Sequence, residues 1–291
     1  HACNSADDKT TDPGKKTGSA MDNPDYDAGL NLVAQSDCFT CHKLREPLTG
    51  PPYGEIAKKY PSTVIGIEPR DFTFGYSLNV GCKAAKGKYL VCASAHVFPT
   101  TNEWLGHMVS SFKDEKVAMV YGRQVGETRS KFSEQNDFKR FFKNKSVNSL
   151  MPLYYANNAN SAIRKSLWEK RPFDEYLFGL EDIDFAKAIT EKGYSVRYEP
   201  NAAVYHIHEE KWAQVFNRYR REAIAAQRIG LTQPPQARLG HHWLFWFLLT
   251  DVLISFPNWT PRRLEEFLRF RYYQWKGSRQ GWFRDVGFDL R

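Results

Sequence analysis

The sequence lacks any apolar stretch long enough to cross a lipid bilayer. A membrane-spanning helix needs about 18–20 consecutive apolar residues, and the nearest candidate, residues 243–256, is shorter and contains Asp251. The chain also has only five cysteines among its 291 residues. An odd number of cysteines in a chain of this length argues against a fold held together by disulfides. No internal repeat is visible, which argues against a solenoid or a propeller.

The composition is that of a folded protein with a surplus of basic residues. Hydrophobic residues make up 42% of the chain and aromatic residues 15%, which is enough to build a buried core. The formal net charge of +8 predicts anionic partners such as phosphates, acidic lipids or nucleic acid. The charge is uneven, since residues 1–30 are acidic on balance and residues 218–291 are rich in arginine.

The N-terminal segment is predicted to be a disordered polar tether over residues 1–25. It is rich in aspartate, lysine, threonine and glycine and has no hydrophobic period. Cys3, which follows Ala2, is similar to the lipidated cysteine of a bacterial lipoprotein. A free thiol without a role is the other interpretation of Cys3.

A haem-attachment signature follows the tether, formed by Cys38, Cys41 and His42. Two thiols on one helical turn can bond to both vinyl groups of a porphyrin while the adjacent histidine ligates the iron. A redox-active cysteine pair and half of a zinc site are the alternatives. A zinc site would need a second pair, and Cys82 and Cys92 do not have that spacing.

Residues 26–62 resemble the opening of a small monohaem cytochrome c, which implies a small all-α fragment that carries haem c. Gly50 and Pro51 stand where that family hydrogen-bonds the ligating imidazole. The second half of such a domain is missing, because Met108, Met119 and Met151 belong to a different pattern downstream. An attached haem would therefore be exposed and would lack its second protein ligand.

Helix and strand signals alternate from about residue 63 to residue 205. Residues 79–86 and 104–112 are predicted as helices, whereas residues 89–93 and 117–121 are predicted as strands. The apolar run at residues 89–93 is typical of a strand buried in a parallel sheet. The alternation predicts an α/β layered domain.

Four stretches between about residues 65 and 229 resemble the family-two glycosyltransferases of the GT-A fold. They are FTFGYSLNVGCKAAKGKYLVCASAHVFPTTNEWL, NNANSAIRKSLWEK, FDEYLFGLEDIDFAKAITEKGYSVRYEP and VYHIH, in the family's order and spacing. The resemblance implies a Rossmann-like, mostly parallel sheet in a partial GT-A domain over residues 63–235. It also implies transfer of a sugar, with inversion, from a nucleotide-sugar donor to a hydroxyl group of a saccharide or lipid-linked acceptor.

Inverting transfer requires a base that deprotonates the acceptor hydroxyl. Glu181 and Asp182, which precede the helical run IDFAKAI, resemble the acidic pair of the family, and the resemblance assigns Asp182 as the base. Acidic residues are also favoured at the start of any helix. Helix capping is therefore the alternative, and the three other motifs in register favour the base.

The transfer also requires positive charge on the departing nucleoside diphosphate, normally from a bound divalent cation. Ser94, Ala95 and His96 stand where the family usually has Asp-x-Asp, which holds the metal and the sugar diphosphate. Mg²⁺ prefers oxygen ligands, whereas a neutral imidazole can ligate a transition metal. We therefore expect a site for a divalent cation, Mn²⁺ or Mg²⁺ with Mn²⁺ favoured, in which His96 is a ligand and Ser94 lies near the donor.

Two further groups of polar residues complete the resemblance. His206 and His208 are two residues apart on an extended segment, so that both side chains point the same way. The family carries a metal-directed histidine in this region, and a structural histidine is the alternative. Asn157, Asn158 and Asn160 resemble the loop that meets the donor sugar and acceptor, although asparagine runs are also ordinary turn formers.

The nucleotide-binding part of the family's fold has no counterpart upstream of Phe72. The tether and the cytochrome-like fragment occupy that region, and neither supplies a buried strand. The sheet is therefore expected to present a bare apolar edge, which favours aggregation.

The C-terminal residues 236–291 are predicted to be a helical extension that combines arginines with aromatics. Residues 241–284 could lie on an acidic membrane surface close to lipid-linked acceptors. Alternatively, the extension packs on the catalytic domain and its arginines are solvated. No nucleic-acid-binding module is recognisable, so nucleic acid is not an expected partner.

Three functions follow from these features. The first is a cytoplasmic glycosyltransferase in surface-polysaccharide synthesis, and the second is a periplasmic or lipid-anchored cytochrome c that transfers electrons. These locations conflict, because haem c is attached outside the inner membrane whereas nucleotide sugars are cytoplasmic. The third is a non-natural or mis-joined fusion of the two, joined between residues 60 and 67, with weak or no transferase activity.

Overall fold

The computed structural model describes residues 65–68, 71–145, 152–232, 241–256 and 260–283. The predicted tether and the predicted haem-attachment residues Cys38, Cys41 and His42 lie outside the described residues. Among the helices that are described, none combines the length and the apolar character that crossing a membrane requires.

The described chain alternates helices and strands, as the sequence predicts. The helices are α1 (Phe74–Ala84), α2 (Trp104–Ser110), α3 (Phe132–Phe141), α4 (Lys165–Trp168), α5 (Glu181–Glu191), α6 (Trp212–Arg228), α7 (His241–Ser255) and α8 (Pro261–Phe283). The strands are β1 (Tyr89–Ala93), β2 (Val97–Pro99), β3 (Val117–Gly126), β4 (Asn160–Arg164) and β5 (Ser195–His206). The predicted α/β fold class is thereby confirmed.

The five described strands form one mixed sheet in the order β1-β4-β3-β5-β2. Strands β3 and β5 pair in parallel, while β1 with β4, β4 with β3, and β2 with β5 pair antiparallel. The expectation of a mostly parallel sheet is therefore wrong for this part of the chain. The apolar run of β1 indicated burial, and burial does not determine the direction of the neighbouring strand.

Strand β1 lies at one end of the sheet that the structure describes. Leu90 and Cys92 are buried, whereas Val91, on the opposite face of the strand, is 38% exposed. Within the described residues β1 pairs with β4 alone, so its other side has no neighbouring strand there. The bare apolar edge that the sequence predicts stays a prediction, because residues 1–64 lie outside the described part of the chain.

The core covers both faces of the sheet. Ala162 and Ile163 are consecutive on β4 and therefore point to opposite faces. Ile163 packs in a cluster with Phe185 of α5, while Ala162 packs in a second cluster with Met108 of α2. Val120 of β3, which is fully buried, belongs to the second cluster. Helices on both faces thus complete a three-layer α/β arrangement.

The C-terminal helices pack on the domain through close contact between α6 and α8. A Cβ atom added at Gly277 would lie 2.3 Å from the carbonyl oxygen of Phe216, and one added at Gly281 would lie 2.2 Å from that of Arg220. These two glycines let the helix backbones approach more closely than any other residue would permit. Phe267 and Phe270 of α8 are fully buried.

A buried ion-pair network joins α3, α7 and α8. Arg271 is fully buried, and its guanidinium donates to Asp251 at 2.9 and 3.0 Å and to Asp137 at 2.7 and 2.8 Å. Asp251 is also fully buried. The extension therefore packs on the domain, as one of the two interpretations expected, but Arg271 is not solvated. Charge patterning could not show this, because Asp137 lies 134 residues before Arg271.

Replacing Arg271 with methionine should lower the free energy of unfolding by about 3–5 kcal/mol, because it leaves buried carboxylates without a partner. Arg269→Met is the matched control, since Arg269 is 56% exposed and pairs only with Glu265 on the helix surface. Such exposed pairs contribute about 0–1 kcal/mol. Urea denaturation of both variants measures the difference, and equal losses would show that the network does not stabilise the fold.

Candidate active site

Three histidines from separate parts of the chain meet at the end of the sheet. His96 directly precedes β2, and β2 pairs with β5 so that Val97 lies opposite His206. The ring centroids are 4.8 Å apart for His96 and His206, 5.0 Å for His96 and His208, and 4.2 Å for His206 and His208. One nitrogen from each ring lies within 4.8 Å of the others. The structure thus brings together all three residues that the sequence assigned to a metal.

The Nδ1 atoms of His206 and His208 each contact a side-chain oxygen that accepts a hydrogen bond. Nδ1 of His206 lies 2.6 Å from Oε1 of Gln124, and Nδ1 of His208 lies 2.6 Å from Oε1 of Glu134. Both oxygens accept, so each Nδ1 carries the proton. Nε2 of His206 is buried and has no hydrogen-bond partner. An unpaired buried imidazole nitrogen beside two further imidazoles fits a transition-metal site.

Burial and neighbouring charges shift the pKa values of His206 and His208 in opposite directions. Burial lowers the pKa of His206 well below its ordinary value, and His208 and His96 add to the effect. Burial also opposes protonation of His208, but the adjacent Glu134 carboxylate outweighs it and raises the pKa of His208.

Glu134, His208 and Glu210 form a second group of potential ligands, which the protein itself occupies. Arg218 donates to Oε1 of Glu134 at 2.7 Å and to both oxygens of Glu210, at 2.9 and 2.6 Å. Burial works against ionisation of Glu210, yet Arg218 outweighs it and lowers the pKa of Glu210 to about 2. Because a guanidinium already neutralises both carboxylates, we assign no cation to this group.

The predicted acidic pair begins α5. Leu180, directly before it, has a φ of 59°, and no other non-glycine residue in the described part of the chain has a positive φ. Oδ2 of Asp182 accepts from the backbone N–H of Asn158 at 2.8 Å, and Oδ1 accepts from that of Ile183 at 2.7 Å. Asp182 thus caps the start of its own helix, as the capping alternative expects. It also binds the loop at Asn158, which lies 24 residues earlier in the chain.

The two carboxyls of the pair are buried to a similar extent but differ in protonation. Burial raises the pKa of Glu181 to about 8, and the charge of Asp182 adds to this. Burial also raises the pKa of Asp182, but the N–H groups of Asn158 and Ile183 limit the rise to about 6. Near neutral pH Asp182 is therefore mostly ionised while Glu181 is mostly protonated.

One loop connects the acidic pair to the histidines. Asn158 donates to Asp182, and the next residue, Ala159, accepts from the backbone N–H of Ser94 at 3.1 Å. The hydroxyl of Ser94 lies 3.0 Å from Nδ1 of His96. Since successive Cα atoms are about 3.8 Å apart, the carboxylate and the three-histidine group are held at neighbouring points of one loop.

The three asparagines of the loop have different environments. Oδ1 of Asn157 accepts from the N–H of Ala159 at 2.9 Å, which is a turn contact. Asn158 is buried, and its Oδ1 accepts from the hydroxyl of Ser161 at 2.8 Å.

Asn160 is fully buried and holds the sheet together. Its amide donates to the carbonyls of Arg123 at 3.2 Å and Ala202 at 2.8 Å and accepts from the indole of Trp104 at 2.9 Å. Gly122 is required beside it, because an added Cβ would lie 2.3 Å from Nδ2 of Asn160. This geometry favours a structural role for Asn160 over the predicted ligand contact.

The sequence did not indicate Gln124 or Glu134 as site residues. They lie 82 and 74 residues before the histidines that they contact. A polar residue inside the buried strand β3 was the only local signal for Gln124, and Glu134 had none because it lies on a polar helix.

The known proteins to which this chain is similar are glycosyltransferases. Residues 52–171 match the family model described as Glycosyl transferase family 2. This match begins inside the segment 26–62 that resembles a cytochrome c. The chain is 26% identical over 241 residues to the O-antigen chain rhamnosyltransferase WbaN of Salmonella anatum, covering 75% of this chain and 74% of that protein.

Among solved structures, the chain is similar to the mannosyltransferase PcManGT from Pyrobaculum calidifontis in complex with GDP-Man and Mn²⁺. The TM-score is 0.52 at 14% identity, over 82% of this chain and 74% of that one. At this identity the similarity shows the shared fold.

Asn160→Ala should lower the free energy of unfolding by at least ~2 kcal/mol, because it leaves buried partners such as the Trp104 indole unpaired. The control is Asn201→Ala, which removes an exposed asparagine from β5 and should change stability by less than about 0.5 kcal/mol. Thermal or urea unfolding followed by circular dichroism measures both. A fully stable Asn160→Ala protein would contradict the structural role.

Proposed function

We propose that this chain is a family-two glycosyltransferase of the GT-A fold and that it transfers a sugar from a nucleotide-sugar donor to a hydroxyl acceptor with inversion. The setting that we propose is cell-surface polysaccharide synthesis on the cytoplasmic side of the membrane. The similarity to an O-antigen chain rhamnosyltransferase supports that setting.

The observation that carries the proposal is the loop that connects Asp182, bound at Asn158, to Ser94, which is bound at Ala159 and contacts His96. Asp182 is ionised near neutral pH, is anchored through Asn158, and is buried where water competes weakly for protons. A carboxylate with a pKa about one unit below neutrality can accept a proton from an acceptor hydroxyl as the new glycosidic bond forms. Glu181, mostly protonated, does not compete for that role.

His96, His206 and His208 would hold the divalent cation. A bound cation would offset the charge that develops on the departing nucleoside diphosphate. A set of nitrogen ligands favours Mn²⁺ over Mg²⁺. The similar mannosyltransferase was solved with GDP-Man and Mn²⁺, which supports a divalent cation with a nucleotide sugar.

The cytochrome alternative depends on Cys38, Cys41 and His42, which the structure does not describe, and it stays a prediction. The same holds for a mis-joined fusion. No feature of the described residues favours electron transfer. The loop 157–160, which binds Asp182, and the histidine group favour sugar transfer.

Asp182→Asn should reduce Mn²⁺-dependent release of nucleoside diphosphate by about 100-fold or more, because it removes the base. We expect a slow rate in the unaltered chain, since the sequence predicts no nucleotide-binding strands upstream of Phe72. Asp184→Asn is the matched control, because Asp184 lies two residues further along α5 and pairs with Arg171. The measurement uses a panel of radiolabelled nucleotide sugars with saccharide and lipid-linked acceptors.

Equal rates for Asp182→Asn and Asp184→Asn would rule out Asp182 as the base. Release no faster than in buffer for every donor would contradict the activity itself. Product stereochemistry, read from the anomeric coupling constant, tests inversion.

We further propose that α7 lies against an acidic membrane surface, where lipid-linked acceptors are found. The outward side of α7 exposes Phe245, Trp246 and Leu253, and Phe256 follows directly after the helix; each of these four large apolar residues is at least 60% exposed. The single Asp or Glu in α7, Asp251, is turned inward to Arg271. On α8, Arg262, Arg269 and Lys276 are exposed and seven residues apart, so that they share one face. Exposed aromatics beside basic residues are typical of interfacial helices on anionic lipid.

Trp246→Glu should weaken binding to vesicles that contain phosphatidylglycerol by about tenfold or more, since burial of one large apolar side chain contributes about 1.5–3 kcal/mol. Leu153→Glu is the control, because Leu153 is 89% exposed and lies outside α7 and α8. Cosedimentation with phosphatidylcholine vesicles, with and without phosphatidylglycerol, gives the partition coefficients. If the protein does not bind vesicles but self-associates through α7, the proposal of membrane docking is refuted.

A further inference from the structure

We infer that Gln124 and Glu134 are positioning residues for the metal ion, which they direct to an all-imidazole site that prefers Mn²⁺ to Mg²⁺. They do so by holding His206 and His208 with the proton on Nδ1, so that the Nε2 atoms face the ion. This inference rests on the metal site of the proposed function.

At the position of Gln124, burial of a glutamine with a purely structural role would be energetically unfavourable. Gln124 is 2% exposed within the mostly apolar strand β3, and its Nε2 has no hydrogen-bond partner among the described residues. Burying an amide with half of its groups unpaired is unfavourable. Its one short contact is the 2.6 Å hydrogen bond to Nδ1 of His206. The strand register explains the contact, because Gln124 pairs with Val204, two residues before His206 and on the same face of β5.

Glu134 holds His208 in the same way, from a helix instead of a strand. Its Oε1 accepts from Nδ1 of His208 at 2.6 Å and from Arg218 at 2.7 Å. Arg218 is fixed in turn by two bonds to Glu210. The carboxylate therefore contacts two donors that are themselves held in place, and it is 4% exposed. A histidine that donates one ring N–H to a carboxylate becomes a stronger ligand through its other nitrogen.

The two positioned rings and His96 make a site without a carboxylate ligand. His96 stacks on His206 with an interplanar angle of 20°, and Ser94, not an acid, lies beside it. The nearby acids Glu134 and Glu210 are both engaged by Arg218. Three nitrogen ligands suit a transition-metal ion, whereas Mg²⁺ demands oxygen.

The test measures Mn²⁺ affinity of the whole chain from the loss of the aqueous Mn²⁺ signal in electron paramagnetic resonance, with Mg²⁺ as competitor. Gln124→Leu keeps the size of the side chain but removes the acceptor, and should weaken Mn²⁺ binding about 10–100-fold. Gln124→Glu restores an acceptor oxygen and should recover most of the affinity. Gln274→Leu is the matched control, because Gln274 is also 2% exposed but bonds to Arg271, away from the histidines. It should leave Mn²⁺ binding unchanged.

A second measurement needs no variant and so does not depend on folding. Long-range ¹H–¹⁵N correlation spectra of the metal-free protein report which ring nitrogen carries the proton. For His206 we expect the proton on Nδ1 and none on Nε2. Diamagnetic Zn²⁺ is used in place of Mn²⁺ for the titration, and the ¹⁵N resonance of Nε2 should shift as Zn²⁺ is added. A proton on Nε2 of His206 would overturn the inference, and so would unchanged Mn²⁺ affinity in folded Gln124→Leu.

The outcomes separate this inference from the proposed function. If Mn²⁺ binds as described but no donor is cleaved, the positioning roles stand and the transferase activity fails. If donors are cleaved although Mn²⁺ does not bind, or although Mg²⁺ displaces it at equal concentration, the activity stands and the inference fails.

Discussion

The carboxylate of Glu134 is the contact on which the candidate site depends. It accepts from His208 and from Arg218 through one oxygen atom, at 2.6 and 2.7 Å, in a place that is almost closed to solvent. A buried carboxylate is tolerated only when it is paired and hydrogen-bonded. The end of β5, helix α3 and helix α6 therefore hold one another in place, because moving any one of them leaves a buried charge without its partner.

Helix α3 extends this dependence to the C-terminal helices. Glu134 faces the histidine group, and Asp137, three residues later on a neighbouring part of the same helix face, pairs with the buried Arg271 of α8. Ser133 of α3 bonds to Asp251 of α7 at 3.0 Å. One short helix thus connects the proposed metal site to the helix that we propose to contact the membrane. The exposed apolar side of α7 is held at a fixed orientation to the site for this reason.

Several features of the fold could be read from the sequence because their causes are local. The alternation of helices and strands follows from hydrophobic spacing, and the acidic pair at the start of α5 follows from helix chemistry. The direction of the neighbouring strand could not be predicted, because the apolar run of β1 indicates that the strand is buried but not which strand it pairs with. The structural environment of Asn160 could not be read either, because its hydrogen-bond partners at Trp104 and Ala202 lie 56 and 42 residues away.

The sequence by itself predicted which residues carry the chemistry: Asp182, the loop 157–160, and three histidines in an order that resembles a glycosyltransferase. Only the tertiary structure decided how they are combined. The antiparallel pairing of β2 with β5 sets His96 beside His206, and the parallel pairing of β3 with β5 brings Gln124 to the same ring. Such contacts join residues about 80 to 110 positions apart, and the cost of burying unpaired charge and polar groups, which selects among them, arises only when the chain is folded.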